Sequence, residues 1–508
     1  MIRNNPVGLK NNESNVECEM NMSASEKEQN VTVIGGGLAG TEAAWQAAER
    51  GVKVTLYEMR PKKMTGAHAT GNLAELVCSN SLGSDDVTKA PGLLKHEMRT
   101  LGSLMIACAN EATVPAGGAL AVDRDVFAQR VTQKIEAHPN INVVREEVTH
   151  IPDDGICIIA SGPLTSDALA AEIAKLSGSE YLYFWDALAP IINEDSLDYS
   201  LAFRASRYGK HGDGTVTAPG ENLGEGDYIN CPMSKDEYYA FVEALATAEG
   251  ATLRDFEQQN FFEGCLPVEV MARRGKDSLA FGPMRPVGIK DPRTGRRPYA
   301  VVQLRQDNIA GTLYNIVGFQ TNLKFAEQDR VLRMIPGLGK AEFMRYGQMH
   351  RNTFINSPSL LDATMRFKKT GVRSLEPEVG SLSLGLRTQD SALFFAGQIV
   401  GVEGYAGNAA TGLLAGLNAV RLLHNEPLLV LPQTTMLGAL CHYVTHAEPK
   451  HFQPMKANFG ILPKFENPPK DKMKRMQMYS ERAQKDLRFW MDDLRLEIPQ
   501  SSIQNHQS

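Results

Sequence analysis

An α/β fold, with a nucleotide-binding type of sheet interrupted by a smaller α+β domain, is predicted by three stretches. Residues 31–58 run strand, glycine-rich turn, helix, strand. Residues 156–160 read as another strand, after which a long middle of mixed pattern begins. Residues 392–423 repeat the order strand, glycine-rich loop, helix far along the chain. Strands alternating with helices argue for a parallel sheet, and a sheet resumed so late argues for an insertion.

The first stretch reads VTVIGGGLAGTEAAWQAAERGVKVTLYE. Its loop, Gly35, Gly36, Gly37, Leu38, Ala39 and Gly40, lies between an apolar strand and an Ala-rich helix, the context a dinucleotide fingerprint requires. Gly35 permits the tight turn, Gly37 lets the backbone approach a pyrophosphate, and Gly40 lets helix and strand pack closely. The helix N-terminus turns N–H groups and partial positive charge toward phosphates. Glu58 lies 18 residues past Gly40, where an acid grips a ribose hydroxyl. An acid there argues against a 2′-phosphate, so FAD or NAD is expected rather than NADP. Arg60, two residues on, is a candidate for cofactor phosphate or ribose.

The last stretch, ALFFAGQIVGVEGYAGNAATGLLAGLNAVRLL, places a strand before Gly397 and Gln398, then Gly404, Tyr405 and Gly407, with a helix from about Asn408. A second helix N-terminus aimed at a flavin stabilises negative charge on the reduced ring. That feature favours FAD over NAD, and the expected fold is a Rossmann-like FAD-binding domain of the glutathione-reductase-like kind. The expected division is a disordered leader at 1–30, the FAD-binding domain at 31–180, an inserted substrate or RNA-binding domain at 181–388, and the rest of the FAD-binding domain with a helical tail at 389–508.

Composition narrows the class. The chain has 508 residues, 43% apolar and 22% charged, as expected for a soluble globular protein of two to three domains. Apolar runs are short, so no membrane span is expected, nor is a metal site. Residues 1–30 lack the apolar core of a signal peptide. Seven cysteines with no secretory signal suggest reduced thiols and a cytoplasmic enzyme. A net charge of −6 gives no global basic signature, so any nucleic-acid contact must be local. The densest arginines lie between Arg273 and Arg305. Between the outer stretches, residues 93–109, 121–137 and 165–176 look helical and 143–151 look extended. Cys108 and Cys157 read as core.

Two further blocks carry cysteines: ELVCSNSLG around Cys78, and FFEGCLPVEVMARRG around Cys265. By its surroundings Cys265 reads as a small buried hydrophobe. Together with FGPMRPVGI and the two glycine-rich stretches, these blocks resemble the folate- and FAD-dependent tRNA (uracil-C5)-methyltransferases, the TrmFO family, related to the GidA flavoproteins. The resemblance runs over residues 31–489, nearly the whole chain. Wobble-uridine flavoenzymes, and the same chemistry on rRNA, are the alternatives. The wobble-uridine relatives carry an extra C-terminal helical domain that a chain of this length is not expected to hold.

The resemblance implies ribothymidine formation in the tRNA T-loop, with 5,10-methylenetetrahydrofolate and NAD(P)H as co-substrates and no obligatory protein partner. Uracil C5 is a poor nucleophile, and a thiolate added at C6 makes it an enolate. In the family the enolate attacks a methylene iminium on flavin N5, a base removes the C5 proton, and reduced flavin supplies hydride. Cys265 is assigned as the C6 nucleophile and Cys78 as the partner near the flavin and proton acceptor, with the reverse assignment open. Arg273 or Arg274 is expected to lower the Cys265 pKa. The arginines of 273–305 are expected to form an electropositive groove for a uridine extruded from the folded tRNA. Arg285 is a candidate for the folate glutamate tail, and Tyr346 and His350 for the folate pocket.

Overall fold

The computed structural model describes residues 30–177, 182–209, 226–251, 266–368 and 392–496. It begins with β1 (Asn30–Ile34), α1 (Leu38–Ala48) and β2 (Lys53–Tyr57). A small antiparallel sheet follows, made by β3 (Ser81–Ser84), β4 (Thr113–Val114) and β5 (Ala119–Val122). The helices α2 (Ala90–Thr100), α3 (Leu104–Glu111) and α4 (Arg124–Ala137) accompany it. Then come β6 (Ile141–Val144), β7 (Ile156–Ile159) and α5 (Asp167–Ser177).

Three expectations of local structure are corrected here. Residues 93–109 are two helices, because Gly102 takes φ +75° and Ser103 caps a new one by accepting from the Ile106 N–H. The buried Glu42 carboxylate also accepts from Ser103 Oγ and from the Leu104 and Met105 N–H groups. Residues 121–137 do not start as a helix. Ala121 and Val122 belong to β5, and Asp123 opens α4 by accepting from the Asp125 and Val126 N–H groups. The strand expected at 143–151 is β6, which ends at Val144.

The middle of the chain forms a second core. Its strands are β9 (Ile191–Asn193), β10 (Phe203–Arg204), β11 (Tyr228–Met233), β12 (Ala300–Gln306), β13 (Leu313–Ile316) and β14 (Phe343–Arg345), after β8 (Leu182–Ala187). They build an antiparallel sheet in the order β10-β11-β12-β13-β9-β14. Against it lie α6 (Lys235–Thr247), α7 (Val268–Arg274), α8 (Ser278–Phe281) and α9 (Phe325–Leu332). Helix α6 begins at a reciprocal capping box between Ser234 and Glu237, and buries Tyr238, Phe241, Val242 and Leu245 at helical spacing. β15 (Met349–Phe354) pairs antiparallel with β8 in a ribbon beside this core. α10 (Ser357–Leu360) follows, and Ile355, Leu360, Leu361 and Met365 pack in the first core, inside the stretch expected to be inserted.

β16 (Ala392–Phe395) returns to the first sheet and completes the parallel order β16-β7-β1-β2-β6. β7 and β16 are buried at every position, as strands covered on both faces must be. Then come α11 (Tyr405–Leu423), α12 (Met436–His446) and α13 (Lys472–Asp493). Among the described residues no helix is long and apolar enough to cross a membrane. α11 crosses α1 backbone to backbone. A Cβ on Gly412 would stand 2.1 Å from the Ala39 carbonyl oxygen, and one on Gly416 2.5 Å from that of Ala43.

Glu97 ties α2 to α12. Its buried carboxylate accepts from the Met436 and Leu437 N–H groups at 2.7 and 2.8 Å, meeting donors that a helix start leaves unpaired. Glu97→Ala is expected to cost about 2–4 kcal/mol in a denaturant melt, since two buried donors lose their acceptor. Burial pushes the Glu97 carboxyl up to about 8. A raised folded pKa stabilises most below the ordinary carboxyl range, and that contribution is lost as pH rises toward 8. Glu97→Gln should remove this slope from a plot of stability against pH.

Candidate functional site

The sheet ends its central strands at a cleft of about 980 Å³, part of it open to solvent, lined by Gly37, Glu58, Ser161, Gly397, Tyr405 and Asn408 among others. This is the carboxyl edge where doubly wound sheets bind ligands. Gly35 takes φ +109°, and a Cβ on it would meet the Ala160 carbonyl at 2.5 Å. Gly37 has nothing within 4 Å of a Cβ position, so the cleft is open beside the N-terminus of α1. Gly40 packs closely, with the Gly35 oxygen 1.9 Å from where its Cβ would be. Leu38 and Ala39 form the buried first turn of α1.

Glu58 directly follows β2 at the cleft. Its Oε2 accepts from the Gly36 N–H at 2.9 Å, and its Oε1 from Arg60 N and Nε at 3.0 and 2.9 Å. Burial would raise this carboxyl, but the Arg60 hydrogen bond and charge, with the two backbone donors, outweigh it and hold the group low. Arg60 is 2% exposed and also binds Glu75 at 3.1 Å. It therefore positions Glu58. Lys62 and Lys63 pair with Glu146 and Glu147 at the surface.

On the far side, Gly397 (φ +87°) donates its N–H to Thr411 Oγ1 at 2.8 Å, and Gln398 donates to Glu403. Gly404 (φ +88°) is the N-cap of α11, and Tyr405 is its first residue. Gly407 packs on Val402. Asn408 Oδ1 is buried and has no hydrogen-bond partner among the described residues. An open helix N-terminus, a fixed acid and an unmet acceptor fit the phosphates, ribose and ring of a flavin dinucleotide.

The Cys78 loop meets this edge. The Tyr405 hydroxyl accepts from the Cys78 and Ser79 N–H groups at 2.8 and 3.0 Å. Burial, then the neighbouring Cys78, pushes this phenol up. The Cys78 sulfur lies 3.7 Å from the carbonyl oxygen of Ala187, the last residue of β8 in the ribbon. From β12 of the second core Arg305 donates to Asn80 Oδ1 and Ser79 Oγ, each at 2.8 Å. Burial pushes the Arg345 guanidinium down to about 10, and it interacts with both Tyr405 and Cys78. Two cysteine- and glycine-bearing blocks more than 300 residues apart thus share one hydroxyl.

The family model described as "Glucose inhibited division protein A" matches residues 30–372 and 376–427. A Pelotomaculum thermopropionicum protein named methylenetetrahydrofolate–tRNA-(uracil-5-)-methyltransferase TrmFO is 55% identical over 89% of this chain and 96% of its own length. The Bacillus subtilis protein of the same name is 54% identical over 90% of this chain and 97% of its own. The chain belongs to the TrmFO family. In the related GidA of Aquifex aeolicus the fold recurs with a TM-score of 0.62 at 16% identity, covering 91% of this chain and 76% of that one. The α/β flavoprotein fold expected from the sequence is therefore the fold found.

The other candidate residues of this TrmFO-family chain are more scattered. Cys265 lies outside the described residues. Arg273 donates to the Ala246 and Ala248 carbonyls at the end of α6, and Arg274 ends α7. Arg285 is exposed, and its carbonyl accepts from Arg207. Arg293 clamps Asp291. Arg273 and Arg293 are tied within their own domain while Arg305 turns to the Cys78 loop, so these three do not line the single groove expected. Tyr346 donates to Asp329 and stacks between Phe325 and Phe343 at 5.0 and 5.4 Å. His350 stands opposite Asp186 in the ribbon, and its side chain lies outside the described residues.

The sequence reading missed Arg124, Asp307 and Arg345. Arg124 pairs with Asp307 at 2.8 Å across the seam between the cores. A cation in the first turn of α4 runs against the helix dipole, and that was the available signal.

Proposed function

We propose that this chain methylates C5 of a uridine in the T-loop of tRNA, taking the one-carbon unit from 5,10-methylenetetrahydrofolate through FAD, with NAD(P)H as reductant. The observation that carries the reading is the junction of Cys78 with Tyr405, where a thiol is held at the mouth of a dinucleotide cleft. The relatives at 54–55% identity carry the uracil-5 name, so a wobble-uridine activity is not favoured.

Bound FAD supplies one-carbon transfer and hydride chemistry. The protein does the rest. Glu58 holds a ribose, the α1 N-terminus holds phosphates, and the α11 N-terminus faces developing negative charge on the ring. The Tyr405 hydroxyl fixes the backbone of the Cys78 loop, so that Cys78, as its thiolate, takes up the C5 proton and becomes the thiol. Cys265 is the nucleophile in this reading. The second core, across the seam, receives the RNA and folate.

Purified protein, incubated with undermethylated tRNA, methylenetetrahydrofolate and NADH, is expected to be yellow and to form ribothymidine only when folate is present. Methyl transfer from S-adenosylmethionine, or product on rRNA and not tRNA, would refute the reading.

A further inference from the structure

The seam beside Cys78 carries buried positive charge that its own residues do not neutralise. Arg124, Arg305 and Arg345 converge there and interact electrostatically with one another or with Cys78, Tyr405 and Asp307. Asp307 bonds Arg124 through one nitrogen, Nη2. Arg305 bonds neutral partners, Asn80 and Ser79. Asp123 is committed to the Asp125, Val126 and Ile309 N–H groups, and Asp125 is exposed.

Four donor nitrogens are left over. Arg124 Nε and Nη1, and Arg345 Nε and Nη2, are buried and have no hydrogen-bond partner among the described residues. Arg124 is itself 8% exposed. Charged donors withdrawn from water and left unmet are costly. Arg124 adds to that cost by standing at the positive end of a helix. Three unfavourable choices at one place, beside the reacting sulfur, call for a negatively charged oxygen.

We propose that Arg124 and Arg345 form an oxyanion receptor for the target uracil, their free N–H groups taking the ring carbonyl oxygen at C4. This rests on the uracil-methylating reading above. When a thiolate adds to the ring, the S–C6 bond forms, the C5=C6 pair becomes C4=C5, and the carbonyl π pair moves onto O4. Nothing is oxidised or reduced, and the charge that left sulfur arrives on oxygen. Guanidinium stays protonated throughout and offers paired donors in a plane, which suits a planar enolate. Donors set in place before the charge develops favour that step over the ground state. A backbone phosphate would share the oxyanion chemistry. The ring is favoured because the unmet nitrogens lie beside Cys78 and Tyr405 and not among the exposed arginines.

The test compares wild type, Arg345→Gln, Arg345→Lys and Arg124→Gln as flavin-loaded full-length proteins. Ribothymidine formation by wild type first checks the parent reading by itself. For both glutamine variants kcat should fall by about 100-fold or more. Their Kd for tRNA should stay within about threefold, since the interaction grows only as the adduct forms. Arg345→Lys should recover part of the loss. If Kd rises, its log–log salt slope falls by about 1 and kcat is kept, the group binds phosphate and the proposal fails. Unchanged kcat in a folded Arg345→Gln also overturns it. Should Arg124→Gln fail to fold because Asp307 is left unpaired, Arg345→Gln decides alone.

Discussion

Cys78→Ser is expected to leave a folded, yellow protein whose ribothymidine formation is slower by about a thousandfold or more. Folding should survive because the described contacts of this residue with α11 run through its backbone. The Cys78 and Ser79 N–H groups bind the Tyr405 hydroxyl, and serine keeps both donors. Side-chain size changes little at a half-buried site where the sulfur lies 3.7 Å from the Ala187 carbonyl oxygen. The chemistry should not survive, since a hydroxyl is a much poorer acid–base partner than a thiol at neutral pH. Flavin absorbance measures cofactor retention, and product analysis of the tRNA measures the reaction. A serine variant with wild-type turnover would remove Cys78 from the mechanism.

Gly412→Val should abolish flavin binding and destabilise the first core by several kcal/mol, about the largest effect a single residue there can have. A Cβ at this position would lie 2.1 Å from the Ala39 carbonyl oxygen and 2.7 Å from its carbonyl carbon. Those are backbone atoms of the fingerprint helix and cannot swing aside as a flexible side chain would. α11 would have to move off α1, carrying Gly404, Tyr405 and Asn408 away from the cleft. Gly412→Ala should give a smaller loss in the same direction, and Gly416→Ala likewise, with 2.5 Å to the Ala43 oxygen. A fluorescence titration with FAD and a thermal melt would measure both effects. Native affinity in Gly412→Val would show that the helices do not need this close approach.

Legibility followed the range of the interactions. The fingerprint was readable because strand, turn and helix are contiguous, and each glycine answers a local demand of φ or space. The break at Gly102 was harder, because Leu93 to Ala109 keep a nearly continuous apolar face, and the capping carboxylate comes from Glu42, far back in the chain. The start of α4 was misplaced because β5 takes Ala121 and Val122 into a sheet with partners the local pattern does not name. Cys78 was picked out through a family resemblance, yet its neighbours Arg305 and Arg345 arrive from strands of the other core.

Sequence alone determined the dinucleotide fold, the acid directly after β2, the return of the chain to the sheet near Gly397, and the family. These depend on short-range pattern, where each residue constrains neighbours a few positions away. Tertiary structure alone decided which groups surround Cys78. Arg60 became a prop for Glu58, Arg273 and Arg293 parted from Arg305, and Arg124 met Asp307 and Arg345 at the seam. Side chains brought together from separate elements owe their meeting to the packing of two cores, and the charge left unmet there depends on every partner at once, which no local stretch encodes.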